Sequence, residues 1–117
     1  MRARFDNFGE IEIDGKQYRH DVLIQGGVVR KRKKTASKAY RDDYGHTPLS
    51  SEEPIPWGGR SLYIGTGMYG ALPVMPAVYK AAEQRGVELV VDRTGNICRL
   101  LQERRSEDIN AILHVTC

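Results

Sequence analysis

Gly65-Thr66-Gly67-Met68-Tyr69-Gly70 spells G-x-G-x-x-G directly after Leu62-Tyr63-Ile64, an apolar run that reads as a strand. Glycines so placed let backbone N–H groups close on a pyrophosphate. Asp92, at the end of the next apolar run, has near the spacing of a ribose-binding carboxylate. The residues that follow argue against a dinucleotide. Such a cradle needs its helix to start within the glycine motif, so that the N-terminal N–H groups meet the phosphates. Here Pro73 would fall in the second turn of that helix, at a cost of about 3 kcal/mol. Met75-Pro76 is the better start, since proline in a first turn forfeits only a donor that has no partner anyway. A smaller possibility survives: N–H groups around Gly65, Thr66 and Gly67 form a candidate nest for a small anion or ligand, at the carboxyl end of a strand. No cofactor is expected.

The histidines are His20, His46 and His114, and none stands at metal-ligand spacing from another; Cys98 and Cys117 make no C-x-x-C, so no metal is expected. His46, in the polar stretch Tyr44-Gly45-His46-Thr47, either orients its loop or lines a cleft, and it joins Gly65, Thr66 and Gly67 as a candidate ligand-binding residue. His114 lies in an apolar run and reads as a hydrogen-bonded core or sheet-face histidine. A nucleophile needs an adjacent base and a third group to orient that base. No spacing in the chain announces such a set, and no catalytic residue is assigned. Arg30-Lys31-Arg32-Lys33-Lys34 reads as the solvated end of a strand, with an acidic protein partner as second choice. Nucleic acid is disfavoured, because Asp42, Asp43, Glu52 and Glu53 follow closely and no aromatic platform interleaves with the basic run.

The elements that must position these groups follow from periodicity and punctuation. Ile11 and Ile13 alternate with Glu10 and Glu12 as in a half-buried strand, and Asp14-Gly15 is a type I′ hairpin turn. Tyr18, Val22 and Ile24 can share one face of the return strand; Gln25-Gly26-Gly27 then turns the chain into a strand starting at Val28. The first third is a β meander or hairpin pair. Residues 35–60 are polar and irregular, except that Ser50 and Glu53 have capping-box spacing and predict one short helical turn before Pro54. Trp57 is expected to close the core. Beyond residue 61 the rhythm becomes strand, helix, strand, helix, strand. The first helix opens at Pro76, buries Val78, Ala81 and Ala82, and stops at Gly86. Thr94 caps the second, whose inner face is Ile97, Leu100, Leu101 and the stem of Arg104; the last strand spans residues 109–115. Such alternation implies parallel pairing, with apolar strands covered on both faces.

Length and composition bound the rest. At 117 residues the chain makes a single domain, residues 1–117, able to bury a core without staples. Two cysteines are too few for a disulfide scaffold, and no apolar run is long enough to span a membrane or lead secretion, so a cytoplasmic protein is expected. A net charge of +3 does not by itself demand nucleic acid.

Several short pieces together resemble the Mth-nine-three-eight-like domain family. They are Phe8-Gly9, Ile11-x-Ile13-Asp14-Gly15-Lys16, Tyr18-x-His20-Asp21-Val22 and His46 in its loop. Gly65-Thr66-Gly67, Arg85-Gly86-Val87-Glu88 and Leu113-His114-Val115-Thr116-Cys117 complete the set, which covers almost the whole chain. The family includes adipogenesis-associated single-domain proteins and a mitochondrial complex I assembly factor. The resemblance implies a three-layer α/β fold, an N-terminal β-hairpin or hammerhead part followed by a βαβαβ part with a short parallel sheet. It carries over no catalytic residues. The expectation is a non-catalytic interaction or assembly-type module with an unidentified protein partner, monomeric or weakly self-associating. The alternative is a small-molecule or anion-binding protein, or weak enzyme, using the Gly-Thr-Gly loop.

Overall fold

The computed structural model describes residues 1–117 throughout. Strands β1 (Ala3–Asn7), β2 (Glu10–Ile13) and β3 (Lys16–Tyr18) form a small antiparallel sheet in that order. Asp14 and Gly15 both hold positive φ, 49° and 85°, and set Ile13 opposite Lys16 across the expected tight turn. The chain then leaves this sheet. Tyr18 and Val22 do not share a strand, because His20 and Asp21 break the run and β4 (Val22–Gln25) begins a second sheet with β5 (Val28–Lys31).

Residues 35–60 hold more structure than their polarity suggests: a 3-10 helix at Thr35–Tyr40 runs into the short helix α1 (Arg41–Tyr44). The Ser50–Glu53 capping box does not form and no helix follows it. The Glu53 carboxylate turns inward to a buried arginine instead. A long-range charge pairing has displaced the local cap.

The second half follows the expected alternation: β6 (Ser61–Gly65), α2 (Pro76–Arg85), β7 (Glu88–Asp92), α3 (Thr94–Leu101) and β8 (Asn110–Leu113). β6 pairs parallel with both β7 and β8, and β4 pairs antiparallel with β8, giving the order β5-β4-β8-β6-β7. α2 starts at Pro76 and ends at Gly86, whose φ of 65° closes the last turn onto the carbonyls of Ala82 and Glu83. Ala81 is only half-buried, leaving Val78 and Ala82 as the inward stripe of α2, and the last strand is shorter than expected; three further expectations need correction. β7 is an edge strand and only half-buried, so not every parallel strand is covered on both faces. Arg93, not Thr94, is the cap residue of α3; the Thr94 hydroxyl donates to the His114 carbonyl instead. Leu100 faces out and Arg104 lies past the helix end, because the inward stripe is Ile97, Cys98 and Leu101.

Period-two alternation splits the large sheet into two buried faces. Val22, Ile24, Tyr63, Ala111 and Leu113 point to one side, where α3 and Ala3, Ile11 and Ile13 of the small sheet cover them. Leu23, Leu62, Ile64 and Ile112 point to the other, against Val78 of α2 and against Leu49 and Leu72. Trp57 packs on this second cluster as expected, with the Arg85 guanidinium 4.9 Å from its ring centre. Each fully buried isoleucine or leucine in these layers contributes about 1.5–3 kcal/mol. β8, in the middle of the sheet, is buried along its whole length. Burial, with the Asp6 charge adding to it, pushes the Cys98 thiol up to about 12 and leaves it inert.

Candidate functional site

Because β5 and β8 both run antiparallel to β4, and β6 and β7 run parallel to β8, the carboxyl ends of four strands meet at one edge of the sheet. Open α/β sheets usually bind ligands at such an edge. Lys31, Leu113, Gly65 and Asp92 are the last residues of these strands, and the segments beyond them, together with Asp21 just before β4, build what is described next.

Beyond β5, Arg32 is not solvated as its basic run suggested; its side chain is 1% exposed. Nε and Nη2 each donate to Glu53 at 2.8 Å, a planar two-point grip that only a guanidinium offers. Nη1 donates to Asp21 at 2.8 Å and Nη2 also reaches the Pro48 carbonyl at 3.0 Å. Ser37 donates to Glu53 and meets Ser50 at 2.7 Å, so no buried side-chain polar atom is left without a partner. One buried cation thus ties the loop carrying Glu53 to the start of β4.

Asp21 faces His114, just past β8, on its other side. His114 Nδ1 lies 2.8 Å from Asp21 Oδ2, and the Val115 N–H donates to Oδ1 at 2.9 Å. Burial alone would raise the Asp21 carboxyl; the hydrogen bond and charge of His114, the Val115 N–H and the Arg32 guanidinium outweigh it and hold the group at about 2. An ionised carboxylate only accepts, so Nδ1 carries the proton, and in the neutral ring Nε2 is an acceptor. The Thr116 hydroxyl, 3.0 Å from Nε2, is then the donor.

Folding therefore lowers the pKa of Asp21 from 3.8 to about 2. The folded chain binds fewer protons than the unfolded chain in that window, so the stability is present above 3.8 and is lost as pH falls toward about 2. Its size is about 2 kcal/mol. Carbon-detected NMR should show this carboxyl titrating near 2, and urea unfolding of Asp21→Asn should fall less steeply between about pH 5 and 2 than that of the wild type. A midpoint near 4 would contradict the account.

His114 and Thr116 open onto a cleft of about 400 Å³ whose walls also carry Arg32, Lys34, Lys38 and Arg41. Gly45, His46 and Thr47 complete it, and no carboxylate lines it. His46 is exposed at its rim. The 3-10 helix and α1 bring Lys38 and Arg41 to the walls. A larger cavity of about 630 Å³ lies by Gly59, Arg60 and Arg104, but Glu107 and Asp108 line it too, so its charges are mixed.

Gly65, Thr66 and Gly67 are not among the residues of the basic cleft. Their neighbourhood is filled by the chain itself. Thr66 donates its N–H to the Asp92 carbonyl at 2.8 Å and Gly67 to the Thr94 hydroxyl at 2.8 Å. Met68 donates to Thr116, while Tyr69 and Ala71 both donate to Cys117. Asp92 is engaged as well, accepting from the Arg93 N–H at 2.7 Å and the Asn96 amide at 3.1 Å. The structure brings His46 to His114 and the basic residues, not to the glycine loop. Asp21, Arg32, Glu53 and Thr116 had no assigned site role in the sequence. The one local signal was the i, i+2 spacing of His114 and Thr116. No group of His, Cys, Asp or Glu is arranged to hold a metal, and no helix is long and apolar enough to cross a membrane.

Comparison with known proteins gives the family and the fold. The chain is 29% identical to the conserved hypothetical protein PH1505 from Pyrococcus horikoshii OT3, over 100% of both chains with a TM-score of 0.76. It is 26% identical to MT938, over 98% of this chain and 99% of that one, with a TM-score of 0.70. An outer membrane protein from Bartonella henselae superimposes with a TM-score of 0.60 over 99% of this chain and 97% of its own, but at 15% identity the likeness is one of fold alone. Among curated proteins none matches. The family described as protein of unknown function (DUF498/DUF598) matches residues 6–114. By that match the chain belongs to this family, and it has the Mth938-like α/β fold that the sequence resemblance implied.

Proposed function

We propose that this protein binds a small anionic ligand, carrying a phosphate or carboxylate group, in the cleft between His46 and His114. One observation carries the reading: Arg32, Lys34, Lys38 and Arg41 converge on a concave surface at the carboxyl edge of the sheet without a single acidic side chain among them. Glu53 and Asp21 already offset Arg32, so the free positive charge comes from Lys34, Lys38 and Arg41. Thr47 and His46 add polar groups that orient a ligand. The donors of Thr66 and Gly67 are taken within the chain, so this reading places the ligand at the His46 end of the candidate set. Titration with inorganic phosphate, followed by amide shifts, should move residues 34–47 and 114–116. Lys38→Ala with Arg41→Ala should weaken binding by about 10-fold or more, equivalent to at least about 1.4 kcal/mol. Affinity should also fall with added salt, since exposed charges are screened beyond about 10 Å at 0.1 M. No shift at low salt with phosphate, sulfate or succinate would end this reading.

A second reading, the interaction module that the family resemblance suggested, draws on β5. This edge strand carries Arg30 and Lys31 outward and leaves Val28 54% exposed. Such an edge can accept an added strand from an acidic partner. Reproducible recovery of one partner, abolished by proline at Val29, would favour it.

A further inference from the structure

The cleft holds more than charge. Asp21, His114 and Thr116 stand in line, 2.8 Å from Oδ2 to Nδ1 and 3.0 Å from Nε2 to Oγ1. We propose that Thr116 Oγ1 is a nucleophile, with His114 as its base and Asp21 as the positioning residue, and that the cleft hydrolyses esters of carboxylate-bearing acids through it. This inference rests on the anion-binding reading for its substrate class.

Three features make the array more than a chance contact. A hydroxyl becomes nucleophilic when a base within hydrogen-bond reach is itself oriented by a third group. Here the third group cannot swing away: the Val115 N–H holds Asp21 Oδ1 at 2.9 Å, and Arg32 Nη1 holds Oδ2 at 2.8 Å. Second, His114 and Thr116 both line the cleft, beside the Lys34, Lys38 and Arg41 that would hold the ligand. Third, the backbone N–H of Thr116 donates to nothing within the chain. The N–H of a nucleophile is a common oxyanion donor in acyl transfer.

The step balances without a cofactor. Thr116 Oγ1 attacks the ester carbonyl carbon while its proton passes to His114 Nε2. The tetrahedral oxyanion collapses, the bond to the leaving oxygen breaks, and that oxygen takes the proton from Nε2 and departs as the alcohol. Water, deprotonated by Nε2, then attacks the acyl-Thr116 ester; the acid leaves, and the proton returns to Thr116 Oγ1. Asp21 stays ionised throughout, holding Nδ1–H and stabilising the imidazolium that forms twice per turnover.

The test uses the full chain with mono-4-nitrophenyl succinate. A burst of nitrophenolate, with a succinyl adduct mapped by peptide mass to Thr116, is expected. Thr116→Val should slow acylation by about 10²-fold or more, the usual contribution of general-base activation, and Thr116→Ser should restore it. Asp21→Asn, with folding checked by near-ultraviolet circular dichroism, should lower the rate at saturating probe and leave the half-saturating concentration unchanged. Cys117, the neighbouring thiol, is the rival nucleophile; Cys117→Ser should leave the burst intact. An adduct on Cys117 or a lysine alone, or no adduct from a protein that still binds phosphate, overturns the relay. An adduct on Thr116 with no phosphate binding upholds the relay and overturns the anion-binding reading.

Discussion

Arg32→Met should lower stability by about 3–5 kcal/mol, the usual consequence of leaving buried carboxylates without their cation. Methionine fills much of the same volume, so the loss isolates charge from packing. Glu53, 1% exposed at its side chain, would keep only the Ser37 hydroxyl, and Asp21 would keep His114 and the Val115 N–H. The Pro48 carbonyl would also lose its donor. For a chain of this length the change corresponds to a drop of roughly 10–20 °C in Tm. It would remove a large share of a typical total of about 5–15 kcal/mol. The double variant Arg32→Met/Glu53→Leu should recover part of the loss, because replacing both members of a buried pair by apolar groups is often close to neutral. A single variant melting within about 3 °C of the wild type would show that the pair contributes less than its burial implies.

Gly67→Ala should be the next most damaging change, at about 2–5 kcal/mol. Gly67 sits at φ +102°, where a side chain is strained whatever the space around it. There is also no space. An added Cβ would collide with the carbonyl carbon of Cys117 and lie 2.8 Å from the Thr116 oxygen. These are backbone atoms, so no side chain can rotate out of the way; the segment after β8 must move. That movement strains the bonds from Met68, Tyr69 and Ala71 to the same carbonyls, at 2.8, 3.0 and 3.1 Å. About 1–2 kcal/mol of this is backbone strain and about 1–3 is overpacking. Thr116 would be carried off His114, so Gly67→Ala should also abolish acylation of Thr116. Gly95→Ala is the control. Gly95 lies in the first turn of α3 with open space around its Cβ, and alanine there should stabilise by up to about 1 kcal/mol. Equal melting temperatures for the two variants would refute the packing account.

The role of Gly67 also shows why the glycine motif misleads. Three glycines after a strand are compatible with a nucleotide cradle or with tight backbone packing, and local composition does not separate them. Pro73 and Pro76 did separate them: they keep α2 away from the loop, and α2 indeed begins at Pro76. What fills the space a phosphate would need is the segment at 116–117, far away in sequence and invisible to any local pattern.

Periodicity and punctuation were enough for the first hairpin and for the elements beyond residue 61, but not for the helices between Thr35 and Tyr44. The Asp14-Gly15 turn, the start of α2 at Pro76, its stop at Gly86 and the βαβαβ order each depend on φ preferences or on apolar spacing within a few residues. Only the tertiary structure decided where charges end up. Arg32 reads as one of five solvated basic residues, and Glu53 as half of a helix cap, until the fold brings them together across 21 positions. Asp21 and His114 meet across 93. Whether a charged side chain is buried is set by which strands pair, and the free energy of that pairing is spread over the whole core rather than written in the neighbours of any one residue.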